Sequence, residues 1–434
     1  MKIFFLVPYT PTRIRTRPYN LIKALLASGH DLTVATLWSD PSELEDFREL
    51  IGNRRRPVLQ QLTKYRSLWN CLKSLPGKDP LQAAYSWTPV MSELLGDLIA
   101  TQDYDVVHVE HLRGARYALL LQELLSRHGK TTPVVWDSVD CISGLFEQAA
   151  QGSARWTSRT IAKLELGRTR RFEAMLVKQF SRVLVTSALD RKQLLELAAD
   201  DDTSDPPSPL QERVRVLPNG VDLDYFTAAN EEREKATLVI SGKMSYHANV
   251  AAVVNFVKEV LPRIWAQRPD VRLWVTGKDP SRTILELASD RVEVTGTVRD
   301  IRPFLQRATI AVAPIQYGAG IQNKVLEAMA CATPVIASPT AVGALSAKPG
   351  LHLAVADGPE EFARTTLALL KNEKLRRAQG EAGRRYVEEN HDWGSIVDDL
   401  ECIYREACIE KRHIPAVSTT VNHFGQEKEK IDVS

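Results

Sequence analysis

Two rhythms of apolar and polar positions alternate along this chain. Short runs rich in valine, isoleucine and leucine are separated by longer stretches whose apolar residues recur three and four apart. That pattern predicts strand, crossover helix and parallel strand rather than a sandwich or a bundle. It places strands at 3–7, 32–37, 106–109, 134–136, 183–186 and 214–217. The rhythm then repeats at 238–241, 271–276, 292–295, 310–313, 335–337 and 353–355. The expected fold is α/β, with two doubly wound halves facing a central cleft, and such sheets bind ligands outside the carboxyl ends of their strands.

The first half is expected over 1–210 and the second over 211–385. Between them 200–209, Asp-Asp-Asp-Thr-Ser-Asp-Pro-Pro-Ser-Pro, defeats helix and strand alike and reads as a surface loop. A closing amphipathic helix is expected within 386–412, with Ile396, Leu400, Ile403 and Tyr404 on one face, followed by a disordered tail over 413–434. One stretch breaks the rhythm, a basic helical insertion over about 41–95. Its core, Arg48 to Lys78, interleaves arginines and lysines with Leu59, Leu62, Tyr65, Leu68, Trp69 and Leu72. Two readings stay open: the apolar stripe packs on its own half with its charges solvated, or it lies on anionic lipid.

Composition narrows the function classes. The 434 residues carry 44% hydrophobic and 25% charged content, enough for two cores, and a net charge of +2 gives no bulk attraction to nucleic acid. Five scattered cysteines without a Cys-x-x-Cys pair argue against a disulfide framework or a structural zinc and fit a reducing cytoplasm. The opening apolar run is too short for a signal peptide, and no stretch approaches the roughly 18 apolar residues of a membrane span. The expected location is cytoplasmic, at most at the inner face of the membrane.

The most informative segment runs from Ala311 to Ala330. A buried strand ends at Pro314, a loop with Gly318 and Gly320 follows, and a helix opens near Gln322 or Asn323 after Ile321. Glycines allow close backbone approach, and the free N–H groups at a helix start receive phosphate oxygens. Lys324 adds a positive charge in the first turn. Glu327, a turn further in, offers a carboxylate to the two hydroxyls of a ribose. Chemically this is a seat for a nucleoside diphosphate.

Glu327-Ala328-Met329-Ala330-Cys331-Ala332-Thr333-Pro334-Val335 closely resembles the nucleotide-binding core of family 4 (group 1) glycosyltransferases, in the polysaccharide-biosynthesis-like branch of the two-Rossmann, GT-B type. That signature usually carries a second acid eight positions earlier, where this chain has Ala319. Leu217-Pro218-Asn219-Gly220-Val221-Asp222 resembles the family's entry to its donor domain. Ser241 to Asn249 stands where the family places a glycine, Gly242, and a cation, Lys243, against the diphosphate, with His247 in support. Thr297 and Val298 fall in the turn whose backbone reads the nucleobase.

The resemblance implies a retaining hexosyltransferase that moves sugar from a UDP- or GDP-sugar to an acceptor hydroxyl. The acceptor is expected to be a glycan or a lipid-linked glycan, with possible contact to an anionic membrane and none to nucleic acid. No cofactor or metal is expected, since lysines and a helix start neutralise the diphosphate. The catalytic candidates are Lys243, Lys324, Glu110 and His111, the last two ending the strand at 106–109, where the family presents a histidine. Arg15 and Arg17, in the loop after the first strand, are candidates for donor phosphates or an anionic acceptor. Asp137 and Asp140 are assigned to loop anchoring or acceptor binding. The rival readings are a nucleotide-sugar epimerase of the same architecture and a non-catalytic glycosyltransferase-like subunit.

Overall fold

The computed structural model describes all residues except 53–56, 153–155, 200–208, 229–231, 318–320 and 414–434. The expected loop over 200–209 and the tail over 413–434 therefore fall almost wholly outside the described residues.

The first half holds seven parallel strands: β1 (Lys2–Val7), β2 (Asp31–Trp38), β3 (Val58–Gln61), β4 (Val106–Glu110), β5 (Val134–Val139), β6 (Arg182–Val185) and β7 (Val214–Val216). Their order is β3-β2-β1-β4-β5-β6-β7. The second half adds β8 (Thr237–Ser241), β9 (Arg272–Thr276), β10 (Val292–Val294), β11 (Ile310–Ala313), β12 (Val335–Ala337) and β13 (Ala354–Val355), ordered β10-β9-β8-β11-β12-β13 and again parallel. Every strand read from the sequence is present. Strand β3 was not foreseen: it sits at the sheet edge inside the basic insertion, where Gln60 and Gln61 dilute the apolar signal.

Period-two alternation explains why both faces of each sheet are covered. In β1, Phe4 and Leu6 enter one core, while Ile3, Phe5 and Val7 enter the opposite one. In the second sheet Val239 and Ala311 face one core, and Leu238, Ile240 and Val312 the other. Strand order reverses between β1 and β4 and again between β8 and β11, so the loops after these four strands form the two switch-point crevices.

The chain passes from the first half to the second at Leu217–Asp222 and returns at His391–Trp393. The two crossings touch: the Val221 N–H donates to the His391 carbonyl at 2.8 Å. The His391 Nδ1–H donates to the Asn219 carbonyl at 2.7 Å, which leaves Nε2 to accept from the Tyr386 hydroxyl at 3.1 Å. Gly220 permits this approach, since a β-carbon there would lie 2.7 Å from the Trp393 ring. The terminal helix, Trp393–His413, then lays Ile396, Val397, Leu400, Ile403 and Tyr404 against Ile3, Phe5 and Val7 of the first half. Leu400 and Val397 are fully buried, worth about 1.5–3 kcal/mol each in transfer free energy.

Candidate functional site

On the second half, β8 ends at Ser241 and the chain turns through Gly242 at φ 143°. Gly277, at the end of β9, has the same φ, and a β-carbon there would stand 1.7 Å from the Gly242 carbonyl oxygen. Only glycine fits that pair, which lets two backbone turns close into one cradle. Against it lies the helix Asn323–Ala330, whose N-cap, Gln322, makes no side-chain cap hydrogen bond. A β-carbon on Gly242 would meet Lys324 Cε at 3.6 Å, so the lysine stem lies along the cradle.

Lys324 Nζ donates to Asn249 Oδ1 at 2.5 Å, and Asn249 Nδ2 in turn donates to the Lys243 carbonyl at 2.9 Å. Burial pulls the Lys324 ammonium down to about 8, although the Glu327 charge opposes the change. Burial likewise pushes the Glu327 carboxyl up to about 7, with Lys324 opposing. A cation and a carboxylate one turn apart are thus held in a low-dielectric site, and the Glu327 carboxylate takes no hydrogen bond among the described residues.

The remaining donor-side candidates separate by role. Lys243 is exposed, while its backbone carbonyl is engaged by Asn249 and by the Tyr246 N–H at 3.1 Å. His247 stacks on Tyr317 and meets its hydroxyl at 3.0 Å, pinning the end of the loop that leads to the glycines. Thr297 Oγ1 accepts the Asp279 N–H at 3.0 Å, and Val298 is half-buried beside it in the chain. Ile321 is buried in the apolar core, so only its backbone faces a ligand. Asn323 does not point at the cradle, because its Nδ2 donates across the cleft to Thr16 Oγ1 at 2.6 Å. Gly320 and Ala319 lie outside the described residues.

Facing this is the first half's crevice. Glu110 ends β4 fully buried, with Oε1 receiving the Tyr9 hydroxyl at 3.0 Å and Oε2 left without a partner. Burial, reinforced by the Asp137 charge, pushes its carboxyl up to about 8. The next residue, His111, is held at φ 67°, a strained backbone for a non-glycine residue that turns the chain sharply out of the strand. Its Nδ1 accepts the Arg113 N–H at 3.1 Å, and burial followed by the Arg113 charge pulls the ring down to about 3. His111 is therefore neutral, with its remaining proton on Nε2. In the structure Glu110 is the last strand residue and His111 the first of the turn.

Two expectations need correction. Arg17 was expected to reach donor phosphates or an anionic acceptor, yet it is only 4% exposed. Its Nε donates to Asp137 Oδ2 at 2.9 Å, and Nη1 to the Leu217 carbonyl and to Asn219 Oδ1, both at 3.0 Å. It ties the first sheet to the crossing segment. Arg15 is spent locally, donating to the Thr10 carbonyl at 2.8 Å and pairing with Glu43 at 2.9 Å. The two differ in place: Arg15 is the N-cap of the helix Thr16–Ala27 and pairs with Glu43, whereas Arg17 lies inside that helix on its buried face.

Asp137 is the anchor expected, since its Oδ1 also receives the Val139 N–H at 3.1 Å. Asp140 accepts from Thr186 Oγ1 at 3.3 Å, and burial pushes it up to about 7. Its charge is felt by Tyr246 of the second half, whose hydroxyl is raised by burial first and by Tyr317 and Asp140 after that. The sequence reading missed His108, whose ring stacks on Phe5 and meets the Tyr404 hydroxyl at 2.8 Å. Its only signal was a polar residue inside an apolar strand. No group of three or more His, Cys, Asp or Glu side chains among the described residues is arranged to hold a metal ion. No helix among them is long and apolar enough to cross a membrane.

Comparison with known proteins bears on this arrangement. Residues 14–220 match the family model described as glycosyl transferase 4-like domain, and 235–372 match glycosyl transferases group 1. The phosphatidylinositol N-acetylglucosaminyltransferase gpi3 subunit of Schizosaccharomyces pombe is 27% identical over 210 residues, 46% of this chain and 44% of that one. A D-inositol 3-phosphate glycosyltransferase of Salinispora arenicola is 28% identical over 271 residues, 54% of this chain and 57% of that one. The chain thus matches about half the length of these relatives.

Among solved structures, HepE from Anabaena in complex with UDP superposes with a TM-score of 0.63 at 13% identity, covering 94% of this chain and 100% of that one. Sucrose-phosphate synthase from Thermosynechococcus elongatus gives 0.64 at 17% identity, with coverage of 94% and 100%. Likeness at these identities establishes the fold, two Rossmann-like sheets of the GT-B type, and the two family models lie one on each sheet. The chain therefore belongs to the group 1 glycosyltransferases.

Proposed function

We propose that this chain is a retaining glycosyltransferase that binds a nucleoside-diphosphate sugar on its second half and passes the sugar to an acceptor hydroxyl presented by the first, in glycan or polysaccharide biosynthesis. One observation carries the reading. Lys324 and Glu327 stand one turn apart at a helix start without a side-chain cap hydrogen bond, beside a two-glycine cradle, and among the described residues the Glu327 carboxylate takes no hydrogen bond. A diphosphate answers the cation and the helix-start amides, and a ribose diol answers the carboxylate. HepE was solved with UDP-glucose and the Salinispora relative bears a glycosyltransferase name, which supports a sugar nucleotide as donor.

In this reading Lys324, Lys243 and the first amides of Asn323–Ala330 take up the charge that grows on the departing diphosphate, without a metal. The bond from the anomeric carbon to the diphosphate oxygen breaks, the bond to the acceptor oxygen forms, and the acceptor proton goes to the departing phosphate oxygen. Burial keeps Glu110 protonated near neutral pH, which makes it a poor nucleophile and disfavours a covalent intermediate through it. The neutral His111 donates through Nε2 to a sugar or acceptor oxygen. Tyr9 orients Glu110 beside it.

Thermal-shift titration with uridine and guanosine diphosphates and their sugars tests this, in the wild type and in Glu327→Ala. Saturation at about 100 times the dissociation constant adds roughly 2.7 kcal/mol. A shift with one base, absent in Glu327→Ala, supports the donor site, and anomeric NMR of the transfer product reads retention. No shift with any nucleotide overturns the proposal, and interconversion of two nucleotide sugars without transfer replaces it with an epimerase.

A further inference from the structure

The helix Lys64–Ser74 is folded inside out. Its inward residues are polar, Ser67 and Asn70, while its apolar residues face solvent: Tyr65 is 87% exposed, Leu68 61%, Trp69 53% and Leu72 50%. Positions i, i+3, i+4 and i+7 form one stripe, and Leu75, 44% exposed, continues it past the helix end. The reading in which the apolar stripe packs on its own half holds for Leu59 and Leu62 and fails for the helix residues. The orientation is fixed from inside. Asn70 Nδ2 donates to the Tyr85 and Trp87 carbonyls at 3.3 and 2.8 Å, and Thr63 caps the helix by accepting the Arg66 N–H at 3.2 Å. A helix held by its polar face has its apolar face on offer.

Charge identifies the occupant. From Leu50 to Lys78 the chain has seven arginines and lysines and no Asp or Glu. Lys64, Lys73 and Lys78 are exposed, and Lys73 lies over the Trp69 ring at 5.4 Å, where an interfacial tryptophan and a basic headgroup contact belong together. Apolar side chains flanked by lysines at helical spacing match the acyl and phosphate layers of an anionic bilayer. A protein partner of the same shape would need a basic rim answered by acids and a contact large enough to cover the whole stripe.

We infer that Lys64–Ser74 docks this half of the protein onto an anionic phospholipid surface, with Tyr65, Leu68, Trp69 and Leu72 in the acyl layer and the lysines on phosphates. The placement gives the contact a purpose. The helix follows β3 by two residues, so it lies at the carboxyl end of the first sheet, the side on which Glu110 ends β4. Asn70 holds Tyr85, and the Tyr85 ring carries the Arg113 guanidinium at 4.8 Å, two residues from His111. Docking would bring an acceptor embedded in the same membrane toward the first half's crevice. That last step rests on the proposed transfer reaction, whereas lipid binding does not.

Flotation of the full chain with vesicles of phosphatidylcholine alone, and of phosphatidylcholine mixed with phosphatidylglycerol, tests the inference. The wild type should float with the anionic vesicles only and detach as salt rises. Leu68→Ser, Trp69→Ser and Leu72→Ser together should abolish flotation. Each of Lys64→Gln and Lys78→Gln should weaken it by about fivefold. An unchanged thermal shift with donor shows that the variants are folded and separates this test from that of the donor site. The inference fails if the wild type does not float, or if the triple variant floats as well as the wild type. It also fails if the triple variant turns a dimer into a monomer in sedimentation velocity with no change in flotation, which would assign the stripe to a second copy.

Discussion

Arg17 and Asp137, 120 residues apart in sequence, form a buried ion pair with Nη2 at 2.8 Å from Oδ2, directly under the segment where the chain leaves the first half. The guanidinium also holds the Leu217 carbonyl and Asn219, so one side chain joins β5, the helix Thr16–Ala27 and the crossing. Burial alone would push Asp137 strongly upward, and Arg17 opposes that. Arg17→Ala leaves the carboxylate without its cation, and stability should fall by about 3–5 kcal/mol in urea unfolding. Combining Arg17→Met with Asp137→Leu should recover much of the loss. If Arg17→Ala instead kept full stability and lost donor affinity alone, the arginine would belong to the phosphates after all.

The pair also shows where sequence reasoning runs out. Both sheets were legible because parallel strands buried on two faces are written as short β-branched runs. The donor seat was legible because glycine, lysine and glutamate at a helix start have few other uses. Arg17 and Arg15 were misplaced because a cation in a loop at the mouth of a crevice reads the same whether it faces a ligand or a carboxylate 28 or 120 residues away. Tyr404 read as one more apolar position on a stripe, and its hydroxyl found His108 only because the terminal helix returns to the first half. The helix Lys64–Ser74 had the periodicity of a buried face. Its buried residues are instead the polar Ser67 and Asn70, so the apolar face points outward.

Gly277 and Gly242 separate stability from binding. Gly277→Ala puts a β-carbon 1.7 Å from a backbone oxygen at a φ that side chains avoid, and nothing flexible is there to give way. It should destabilise the second half by about 3 kcal/mol or more and abolish donor binding. Gly242→Ala meets only the ends of Asn249 and Lys324, at 3.0 and 3.6 Å. Its φ of 143° still costs stability, but its melting temperature should fall less, while donor affinity drops because Asn249, the partner of Lys324, is displaced. Calorimetric melting and donor titration of the two variants check the contrast.

Donor affinity should depend on pH with two limbs. Ribose hydroxyls bind the ionised Glu327, whose free carboxyl is raised to about 7, so affinity rises as pH climbs through that value. Lys324, lowered to about 8, loses its charge above that point, and affinity for a diphosphate then falls. The optimum lies between the two. Glu327→Gln should remove the acid limb, and because it deletes the charge that supports the ammonium, it should also move the alkaline limb to lower pH. Titration calorimetry across this range reads both effects. A flat profile in the wild type would place the two groups outside the donor contact.

Glu110 makes a prediction about stability. Its folded carboxyl is raised from 4.5 to about 8, so the folded state holds a proton that the unfolded state releases. That contribution is fully present below about pH 4.5 and disappears as pH rises through about 8, on the order of a few kcal/mol in all. Unfolding free energy should therefore decline with rising pH more steeply in the wild type than in Glu110→Gln, which carries no titrating group. Tyr9→Phe deletes the hydroxyl that favours the ionised form, so the decline should shift to still higher pH. Turnover discriminates further. If the protonated carboxyl is the working form, Glu110→Gln keeps much of the wild-type rate near pH 7, because an amide preserves the neutral shape beside His111. Loss of turnover with donor affinity intact would show that transfer depends on an ionised carboxylate at this position, and the route without a carboxylate nucleophile would have to be abandoned.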